Sequence, residues 1–391
     1  MVPTVKISAV QVLGLAALGV VMGSWLKRRI PLLDRLNIPV PIIGGMVYAI
    51  VALVCRDRFL NIDADVSLRD LLQTAFMTTI GLSARLELVR RGGARMVWLV
   101  GAASVGAVLQ NLLGIAMAHG LGVDPRLGIL TGAVSLAGGP ATSLAFGPVF
   151  EKMGVAGATT VAFASATFGI AVAGLIGGYI GGWLIRRHNL KAPAFAAAAA
   201  PSPIDAGGSL TTTVIAIAIS MGAGSLVSTG IQAYGVILPG YIGAMIVGAI
   251  IRNLDDRFRF ARIAQADVDS AGRIALYLFI VMALVTLRLW ELAHLALPMI
   301  VMLAVQVVFC CAMCVTLSFW VLGRNYEAAV GSAGFCGFML GITANAVACM
   351  EELVEKYGPA PQAFLIVPIV GAFLIDFTNS LIITAFANWL K

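Results

Sequence analysis

The chain has 391 residues, of which 60% are hydrophobic and only 12% are charged, and its mean hydropathy is +0.97. Ordinary soluble domains carry about 25% charged residues, so this composition excludes a soluble globular protein and predicts a polytopic membrane protein. The net charge is +7. In a soluble chain such an excess would indicate a nucleic-acid partner, but here it predicts basic loops against an anionic cytoplasmic leaflet and no nucleic-acid partner.

The beginning of the chain predicts a retained span rather than a cleaved signal peptide. One Lys precedes the first apolar run, no small-residue cleavage site follows that run, and residues 27–29 are all basic. Runs long enough to cross a bilayer contain about 20 apolar residues. Ten such spans are predicted, near residues 8–26, 37–55, 68–86, 96–118, 155–185, 210–231, 235–251, 271–290, 296–322 and 360–389.

A stretch rich in Ala, Pro and Gly divides the chain. Residues 188–209 lack the pattern of a helix or strand and are punctuated by Pro and Gly, so they predict a linker. The linker separates residues 1–187 from residues 210–391, and each part holds five predicted spans.

The two parts resemble each other in sequence. Glu151-Lys152-Met153-Gly154 corresponds to Glu355-Lys356-Tyr357-Gly358, and other matches occur in the same order at a constant offset, Ser67 with Ser270, Phe76 with Phe279, Arg85 with Arg288 and Leu86 with Leu289. Because five is an odd number of spans, the second copy must be inverted in the membrane relative to the first. Inverted repeats are typical of secondary transporters.

Lys and Arg predict the orientation of the chain. The loops on one side of the predicted bundle hold 18 of these residues and the loops on the other side hold 8. Because the richer side faces the cytoplasm, the linker is predicted to be cytoplasmic and both termini to lie outside. The first half then ends its fourth span outside, and the second half ends its ninth span inside.

The cysteines are predicted to be small buried hydrophobic residues without a disulfide or metal role. They lie in or beside apolar runs and lack metal-type spacing with His. The six residues are Cys55, Cys310, Cys311, Cys314, Cys336 and Cys349.

Two glycine-rich stretches, 131–150 and 331–350, are apolar but too short to cross a bilayer twice as full helices. Their glycines disfavour a continuous helix, so each predicts a re-entrant hairpin of two half-helices meeting at mid-membrane. Irregular backbone is tolerated at that depth only where it is buried in protein or lines a cavity. The alternative is that small residues simply allow close helix packing.

The hairpins also predict binding sites for a carboxylate and for sodium. Pro140 is suited to the first turn of a new half-helix, and half-helix N-termini expose N–H groups and a positive dipole end that bind carboxylates. Half-helix C-termini and unwound carbonyls suit sodium. No basic residue lies deep in a predicted span, so an anionic substrate would need these N–H groups, hydroxyls and a co-bound cation, which favours sodium coupling.

Asp376 is the one acidic residue of the last predicted span, and Asn379 and Ser380 follow it on the same helical face. An ionisable residue inside a span is costly and indicates an ion or proton pathway. The alternative is a carboxylate that is hydrogen-bonded inside the bundle for structure alone. Gln110, Asn111 and Gln306 are interpreted as interhelical hydrogen-bonding residues rather than ligands.

Four segments resemble the bacterial sodium/glutamate symporters over nearly the whole chain except the linker. They are Asn37-Ile-Pro-Val-Pro-Ile-Ile-Gly-Gly45, Ser67-Leu-Arg-Asp70 with Thr79-Ile-Gly-Leu82, Leu289-Trp-Glu-Leu292 with Leu297-Pro-Met299, and Phe364-Leu-Ile-Val-Pro-Ile-Val-Gly-Ala-Phe-Leu-Ile-Asp376. The resemblance implies an all-α protein of ten transmembrane helices in two inverted five-helix repeats, located in the bacterial inner membrane. It also implies a homodimer in which a mobile transport domain slides past a dimerising scaffold, carrying L-glutamate with Na⁺ and no other cofactor.

Both hairpin tips depart from the pattern of that family. The usual Gly-Gly-His-Gly-Thr is Gly138-Gly139-Pro140-Ala141-Thr142 in this chain, and the usual Thr-Pro-Thr is Thr343-Ala344-Asn345. The tips therefore lose an imidazole and gain an amide. These changes leave open a different substrate, either a hydroxycarboxylate such as citrate or a neutral amino acid.

The resulting hypothesis is a sodium-coupled symporter, and it assigns two groups of residues. The predicted substrate-binding residues are Gly138, Gly139, Thr142, Thr343 and Asn345, and the predicted sodium-binding residues are Ser135, Asp376 and Asn379. A channel would need a continuous polar lining, and a membrane enzyme would need a nucleophile with its base or a set of metal ligands. The sequence shows neither feature.

Overall fold

The computed structural model describes residues 3–36, 38–56, 58–192, 209–236, 238–292 and 295–391. These residues are mostly helical. The helices before the linker are α1 (Ala9–Arg29), α2 (Pro31–Arg35), α3 (Val40–Cys55), α4 (Ser67–Ser83), α5 (Leu86–Gly120), α6 (Pro125–Leu130), α7 (Gly139–Lys152) and α8 (Ala158–Arg187). Most of the predicted linker, residues 193–208, lies outside the described residues.

The helices after the linker are α9 (Leu210–Gln232), α10 (Gly240–Phe258), α11 (Gln265–Val285), α12 (Ala296–Met313), α13 (Phe319–Val321), α14 (Tyr326–Leu340), α15 (Thr343–Tyr357), α16 (Pro361–Ile369) and α17 (Ile375–Trp389). A 3-10 turn covers Leu289–Leu292, and two π-helical segments, Cys314–Ser318 and Val370–Leu374, join α12 to α13 and α16 to α17.

A small sheet is an exception to the predicted all-α class. Strand β1 (Thr4–Ile7) pairs in parallel with β2 (Asn61–Ala64), with Thr4 opposite Asn61. Neither strand was predicted, because four residues are too few to establish an alternating pattern.

Within the described residues, seven helical segments are long and apolar enough to cross a membrane, so the chain is an integral membrane protein. The segments are Ala9–Arg29, Gly93–Gly120, Ala158–Arg187, Leu210–Gln232, Gln265–Val285, Ala296–Val321 and Pro361–Trp389. The other three predicted spans fall on α3, α4 and α10, which are shorter or carry charged residues at one end. The count of ten spans therefore stays a prediction.

The chain folds into two compact units, and each combines segments from both sequence halves. The first unit contains residues 1–83, 147–160 and 207–295, and the second contains residues 84–146, 161–206 and 296–391. The predicted halves, 1–187 and 210–391, thus describe a repeat in sequence rather than compact bodies, and that repeat stays a prediction.

Glycines bring helix backbones of the first unit into contact. A Cβ atom placed on Gly44 of α3 would lie 1.8 Å from the Gly19 carbonyl oxygen of α1, and one placed on Gly243 of α10 would lie 2.1 Å from the Gly224 carbonyl oxygen of α9. No side chain larger than hydrogen fits at either crossing, as is typical of helix pairs packed through small residues.

The second unit surrounds a large apolar core that contains α14 almost entirely. α14 and α15 are joined by only two residues and fold back on each other in antiparallel packing. The contact is close, since a Cβ atom on Gly337 would lie 2.4 Å from Ala346 Cα. α8 lies against this helical hairpin, where a Cβ atom on Gly169 would lie 2.1 Å from the Leu340 carbonyl oxygen. The predicted hairpin stretch 331–350 lies entirely in this unit, and the stretch 131–150 lies in it up to residue 146.

Candidate functional site

The first helix break lies between α6 and α7. Residues 131–138 run as consecutive turns, and α7 begins at Gly139 with Pro140 as its second residue, as predicted. The φ of Gly139 is +66°, a left-handed value that a residue with a side chain rarely adopts. The first arm differs from the prediction of a half-helix, because only the six residues of α6 precede the turns.

The second helix break lies between α14 and α15. α14 ends at Leu340, Gly341 and Ile342 leave the helical conformation, and α15 begins at Thr343. The helical hairpin extends from residue 326 to residue 357, so the predicted bounds of 331–350 were too narrow. The apolar composition alone could not show that the flanking residues continue the two arms.

The two breaks lie in contact. A Cβ atom placed on Gly139 would be 3.2 Å from Ile342 Cγ2 and 3.3 Å from the Gly341 carbonyl oxygen. The first turns of α7 and α15 therefore start side by side. Because the first N–H groups of a helix lack intrahelical partners, two positive helix ends converge at one place.

Two carboxamides hold the irregular backbone of the first break. Asn111 of α5 accepts the Ala133 N–H at its Oδ1 (3.1 Å), and Asn379 of α17 donates from Nδ2 to the Ala133 carbonyl (2.9 Å). Both backbone polar groups of the buried Ala133 are thereby satisfied, and its carbonyl also accepts the Gly138 N–H (2.9 Å). These bonds stabilise a backbone that belongs to no helix or strand.

Three further carboxamides hold the second break and its surroundings. Gln110 donates from Nε2 to the Met339 carbonyl (3.2 Å), and Gln306 donates to the Gln110 carbonyl (2.7 Å). Asn345 donates from Nδ2 to the Ile170 carbonyl of α8 (2.9 Å). The interpretation of Gln110, Asn111 and Gln306 as interhelical hydrogen-bonding residues agrees with these contacts.

Several of these carboxamides keep one buried atom without a hydrogen-bond partner among the described residues. Buried polar atoms without a partner are uncommon and call for an explanation. Oxygen atoms of this kind are ligands that a hard cation prefers. The unpartnered oxygens are Gln110 Oε1, Gln306 Oε1, Asn345 Oδ1 and Asn379 Oδ1.

The hydroxyl groups predicted to bind ligands differ in their surroundings. Ser135 is fully buried, and its hydroxyl contacts the carbonyls of Leu130 and Ala162, the latter at 2.8 Å. Thr142 is buried beside Gly138, where a Cβ atom would lie 2.6 Å from Thr142 Cβ. Thr343 is half-buried as the first residue of α15. Because the Ser135 hydroxyl already contacts two backbone carbonyls, its role is more structural than that proposed for the two threonines.

Asp376 is half-buried in the first turn of α17, directly after the π-helical segment Val370–Leu374. Its carboxylate has no hydrogen-bond or ion-pair partner in the described part of the chain. Its backbone carbonyl accepts the Ser380 hydroxyl (2.8 Å). The structure therefore gives no support to the alternative in which this carboxylate is hydrogen-bonded for structure alone, and π-helical segments often accompany functional sites.

The structure brings some of the predicted residues together. Gly139 contacts the second break next to Thr343, and Asn379 reaches the backbone of the first break, whereas Asp376 has no described hydrogen bond to either break. All eight predicted site residues lie in the second unit. The binding of Asn111 to the same residue as Asn379, Ala133, was not predicted, although an amide inside an apolar span was a usable signal.

Comparison with known proteins gives a consistent result. The sodium/glutamate symporter family matches residues 5–359. The chain is 38% identical over 380 residues to the sodium/glutamate symporter of Escherichia coli (strain K12), covering 94% of each chain. It is 35% identical over 387 residues to the sodium/glutamate symporter of Haemophilus influenzae (strain ATCC 51907 / DSM 11121 / KW20 / Rd), covering 95% of each.

One solved structure also aligns with the chain. It is the sodium proton antiporter MjNhaP1 from Methanocaldococcus jannaschii, with a TM-score of 0.42 and 15% identity over 97% of both chains, a similarity too weak to assign the fold. The family is established by the match to the family model and by the two symporter relatives. The chain belongs to the sodium/glutamate symporter family.

Proposed function

We propose that this protein is a secondary transporter that carries L-glutamate or a related small carboxylate across the membrane together with Na⁺. The observation that supports this most directly is the contact between Gly139 and the break at Gly341 and Ile342, because it joins two helix N-termini at one buried place. Helix N-termini bind carboxylates through free N–H groups and their dipoles. Family membership agrees with the prediction of a transporter and not an enzyme.

The substrate contacts are proposed at the two helix starts. Gly138 and Gly139 let the backbone approach the carboxylate, and Thr142 and Thr343 offer hydroxyls from the first turns of α7 and α15. Asn345 contributes a carboxamide whose Oδ1 is buried without a partner among the described residues, so this oxygen is available to accept from the ammonium group of an amino acid.

The cation is proposed to bind next to these contacts. Asn379 supplies an unpartnered buried Oδ1, and Asp376 supplies a negative charge that no described cation neutralises. Ser135 completes the proposed set, with weaker support because its hydroxyl already contacts backbone carbonyls. A bound Na⁺ lowers the electrostatic cost of the anionic substrate, and each ligand raises the affinity for the other by the same factor.

Alternating access is proposed to occur by an elevator-type movement in a homodimer. The location of all eight site residues in the second unit supports a cargo site carried by one compact body. The first unit, with its glycine-mediated helix crossings, would then serve as the scaffold. Both termini are proposed to lie outside, with the linker at the cytoplasmic side.

A different substrate remains the second candidate within the same mechanism. Pro140, Ala141, Ala344 and Asn345 replace residues that are usual at the family's hairpin tips. Without the imidazole donor, a hydroxycarboxylate such as citrate or a neutral amino acid would compete with glutamate for the same helix starts.

Transport into proteoliposomes tests both proposals. An inward Na⁺ gradient is expected to drive accumulation of labelled L-glutamate, and replacement of Na⁺ by K⁺ is expected to abolish it. Unlabelled citrate and neutral amino acids serve as competitors. If glutamate neither accumulates nor competes while one of the others does, the substrate assignment is wrong but sodium coupling stands; if no gradient of Na⁺ drives any uptake, the coupling is wrong.

A matched pair of variants tests the site. Thr142→Val is expected to raise the KM for the substrate, because it removes a hydroxyl at the start of α7. Thr229→Val is the control, since the exposed Thr229 hydroxyl donates only to the Ser225 carbonyl of its own helix (2.9 Å). Equal kinetics in the two variants would remove Thr142 from the site.

A further inference from the structure

Three cysteines of the second unit form a cluster that the proposed transport function does not use. Cys310 and Cys314 lie one turn apart on the face of α12 that continues into the π-helical segment, and Cys336 lies on α14. All three are fully buried, and their Sγ atoms lie within 4.8 Å of one another. None of them forms a disulfide.

The thiol cluster (Cys310, Cys314 and Cys336) agrees with the predicted burial of these three cysteines. Their burial was predicted, but their proximity was not, because 22 residues of sequence separate Cys314 from Cys336 and only the packing of α14 on α12 brings them together. A buried thiol behaves as a small hydrophobic residue. Three thiols that can reach one point also form a set of soft ligands.

We propose that the thiol cluster is a binding site for a thiophilic d10 metal ion, with Hg²⁺ as the ion that fits it best. Metal–thiolate bonds are about 2.3 Å long, so two sulfurs on opposite sides of one ion are separated by about twice that distance. The observed limit of 4.8 Å between the sulfurs is compatible with such bridging after only a small movement.

The apolar surroundings of the cluster favour a metal complex without net charge. Its neighbours in the core are apolar, among them Met313, Met339 and Phe335. An uncompensated charge is costly in such a place. Hg²⁺ bound by two thiolates is neutral, while the third thiol stays protonated as a weak donor, whereas Zn²⁺ bound by three thiolates would carry a net negative charge.

Binding is an exchange of protons for the metal and requires no oxidant. Two S–H bonds break, two S–Hg bonds form, and two protons leave for each Hg²⁺ bound, as expected for thiolate ligands. The bound ion would join α12 to α14, the helix whose last residue borders the second break.

The test uses the full-length protein in detergent micelles, with Cys55, Cys311 and Cys349 replaced by Ser. HgCl₂ is the probe, and excess glutathione removes weakly bound metal. We expect one Hg²⁺ retained per chain, two protons released per ion in weakly buffered solution, and thiolate-to-mercury absorbance in the ultraviolet. Retention of no mercury, or release of one proton per ion, would overturn the proposal.

Single substitutions in the native chain supply the matched control. Cys336 is the one thiol of the cluster on α14, so Cys336→Ala removes the ligand through which the ion joins the two helices. Loss of even an outer-shell partner costs about 10–100-fold in metal affinity, so this variant should weaken retention by about tenfold or more. Cys349→Ala removes another buried thiol of the second unit, outside the cluster, and should leave retention unchanged. Equal retention in the two variants would refute the site. If Cys336→Ala does not fold, the stoichiometry and proton release of the chain that keeps only the cluster decide the question without that variant.

Discussion

Asn111 and Asn379 hold the two backbone polar groups of one residue, the N–H and the carbonyl of Ala133. Asn111→Ala leaves the buried Ala133 N–H unsatisfied, which costs about 1–3 kcal/mol. Asn379→Ala removes one hydrogen bond, worth about 0.5–1.5 kcal/mol, because the Ala133 carbonyl still accepts the Gly138 N–H (2.9 Å). We therefore expect both Asn111→Ala and Asn379→Ala to lower the thermal unfolding temperature in detergent. Because only Asn379 is proposed to bind Na⁺, we expect only Asn379→Ala to lose the additional stabilisation that added NaCl produces relative to KCl.

The pair provides its own control, since both variants damage the same break. If Asn379→Ala kept the full Na⁺-dependent shift, Asn379 would be a structural residue only. If Asn111→Ala lost that shift as well, the shift would report the integrity of the break rather than a ligand.

The Asp376 carboxylate lies in an apolar helix with no partner among the described residues, and this is difficult to explain unless a ligand compensates for it. We expect Asp376→Asn to reduce Na⁺-driven uptake by at least about tenfold, the factor that corresponds to roughly 1.4 kcal/mol, with normal expression. Glu351→Gln on the exposed face of α15 is the control for loss of one negative charge. Uptake at the level of the parent protein in Asp376→Asn would remove this residue from the proposed site.

At the scale of the elements, Gly139 combines a left-handed backbone with contact to the second break. Gly122 has nearly the same φ, +69°, but nothing lies within 4 Å of a Cβ atom placed there. Gly139→Ala and Gly122→Ala should therefore share a backbone strain of about 1–2 kcal/mol. Only Gly139→Ala should also reduce uptake, because its methyl group would press on Gly341 and Ile342.

Thermal unfolding and initial uptake rates, measured on both variants, separate the two effects. Equal loss of uptake in Gly122→Ala would attribute the effect to general destabilisation and would count against a functional junction between the helix starts.

The start of α6 carries a pH-dependent contribution to stability. Asp124 caps this helix by accepting the Arg126 N–H (2.9 Å), and its carboxylate also accepts from the Arg126 guanidinium. That hydrogen bond is the main reason why the pKa of Asp124 is lowered, although partial burial opposes it. Because the folded-state pKa lies below the unfolded value of about 3.9, the contribution is present above that pH and is lost as the pH falls through the lowered value.

Asp124→Asn should keep the cap but lose the ion pair, which is worth about 0.2–1 kcal/mol when partly exposed. We expect the parent protein to be the more stable of the two near neutral pH and the difference to vanish in acid. Thermal unfolding of both proteins as a function of pH measures this, and a difference that stays constant across the range would contradict the assignment to Asp124.

The sequence was sufficient to predict the helix breaks but insufficient to predict how they are held. Clustered glycines with Pro140 indicate a break because each disfavours a helix interior, and this signal is local. Contacts between Asn379 and Ala133, or between Gly139 and Ile342, depend on the packing of residues far apart in sequence. The same reason explains why the thiol cluster was missed.

At the scale of the whole molecule, composition and span length predicted the class correctly, because they sum over many residues. The two compact units could not be predicted, since each interleaves segments from both halves of the chain. The close backbone contact of Gly19 with Gly44 and that of Gly224 with Gly243 occur between corresponding helices of the two halves. This correspondence supports the proposed repeat. Inversion of the repeat is a separate question, because it depends on which side of the membrane each loop faces.

Inversion makes a prediction about two residues that are equivalent in the sequence repeat. Lys152 is the last residue of α7, and Lys356 lies at the matching place near the end of α15; both are exposed. Since each half has an odd number of predicted spans, Lys152 should face the outside and Lys356 the cytoplasm. In a chain whose six cysteines are replaced by Ser, a membrane-impermeant maleimide should label Lys152→Cys on intact spheroplasts, but should label Lys356→Cys only after lysis. Labelling of both residues from the same side would show that the halves are parallel, and the alternating-access mechanism proposed for this symporter would then lack its symmetry.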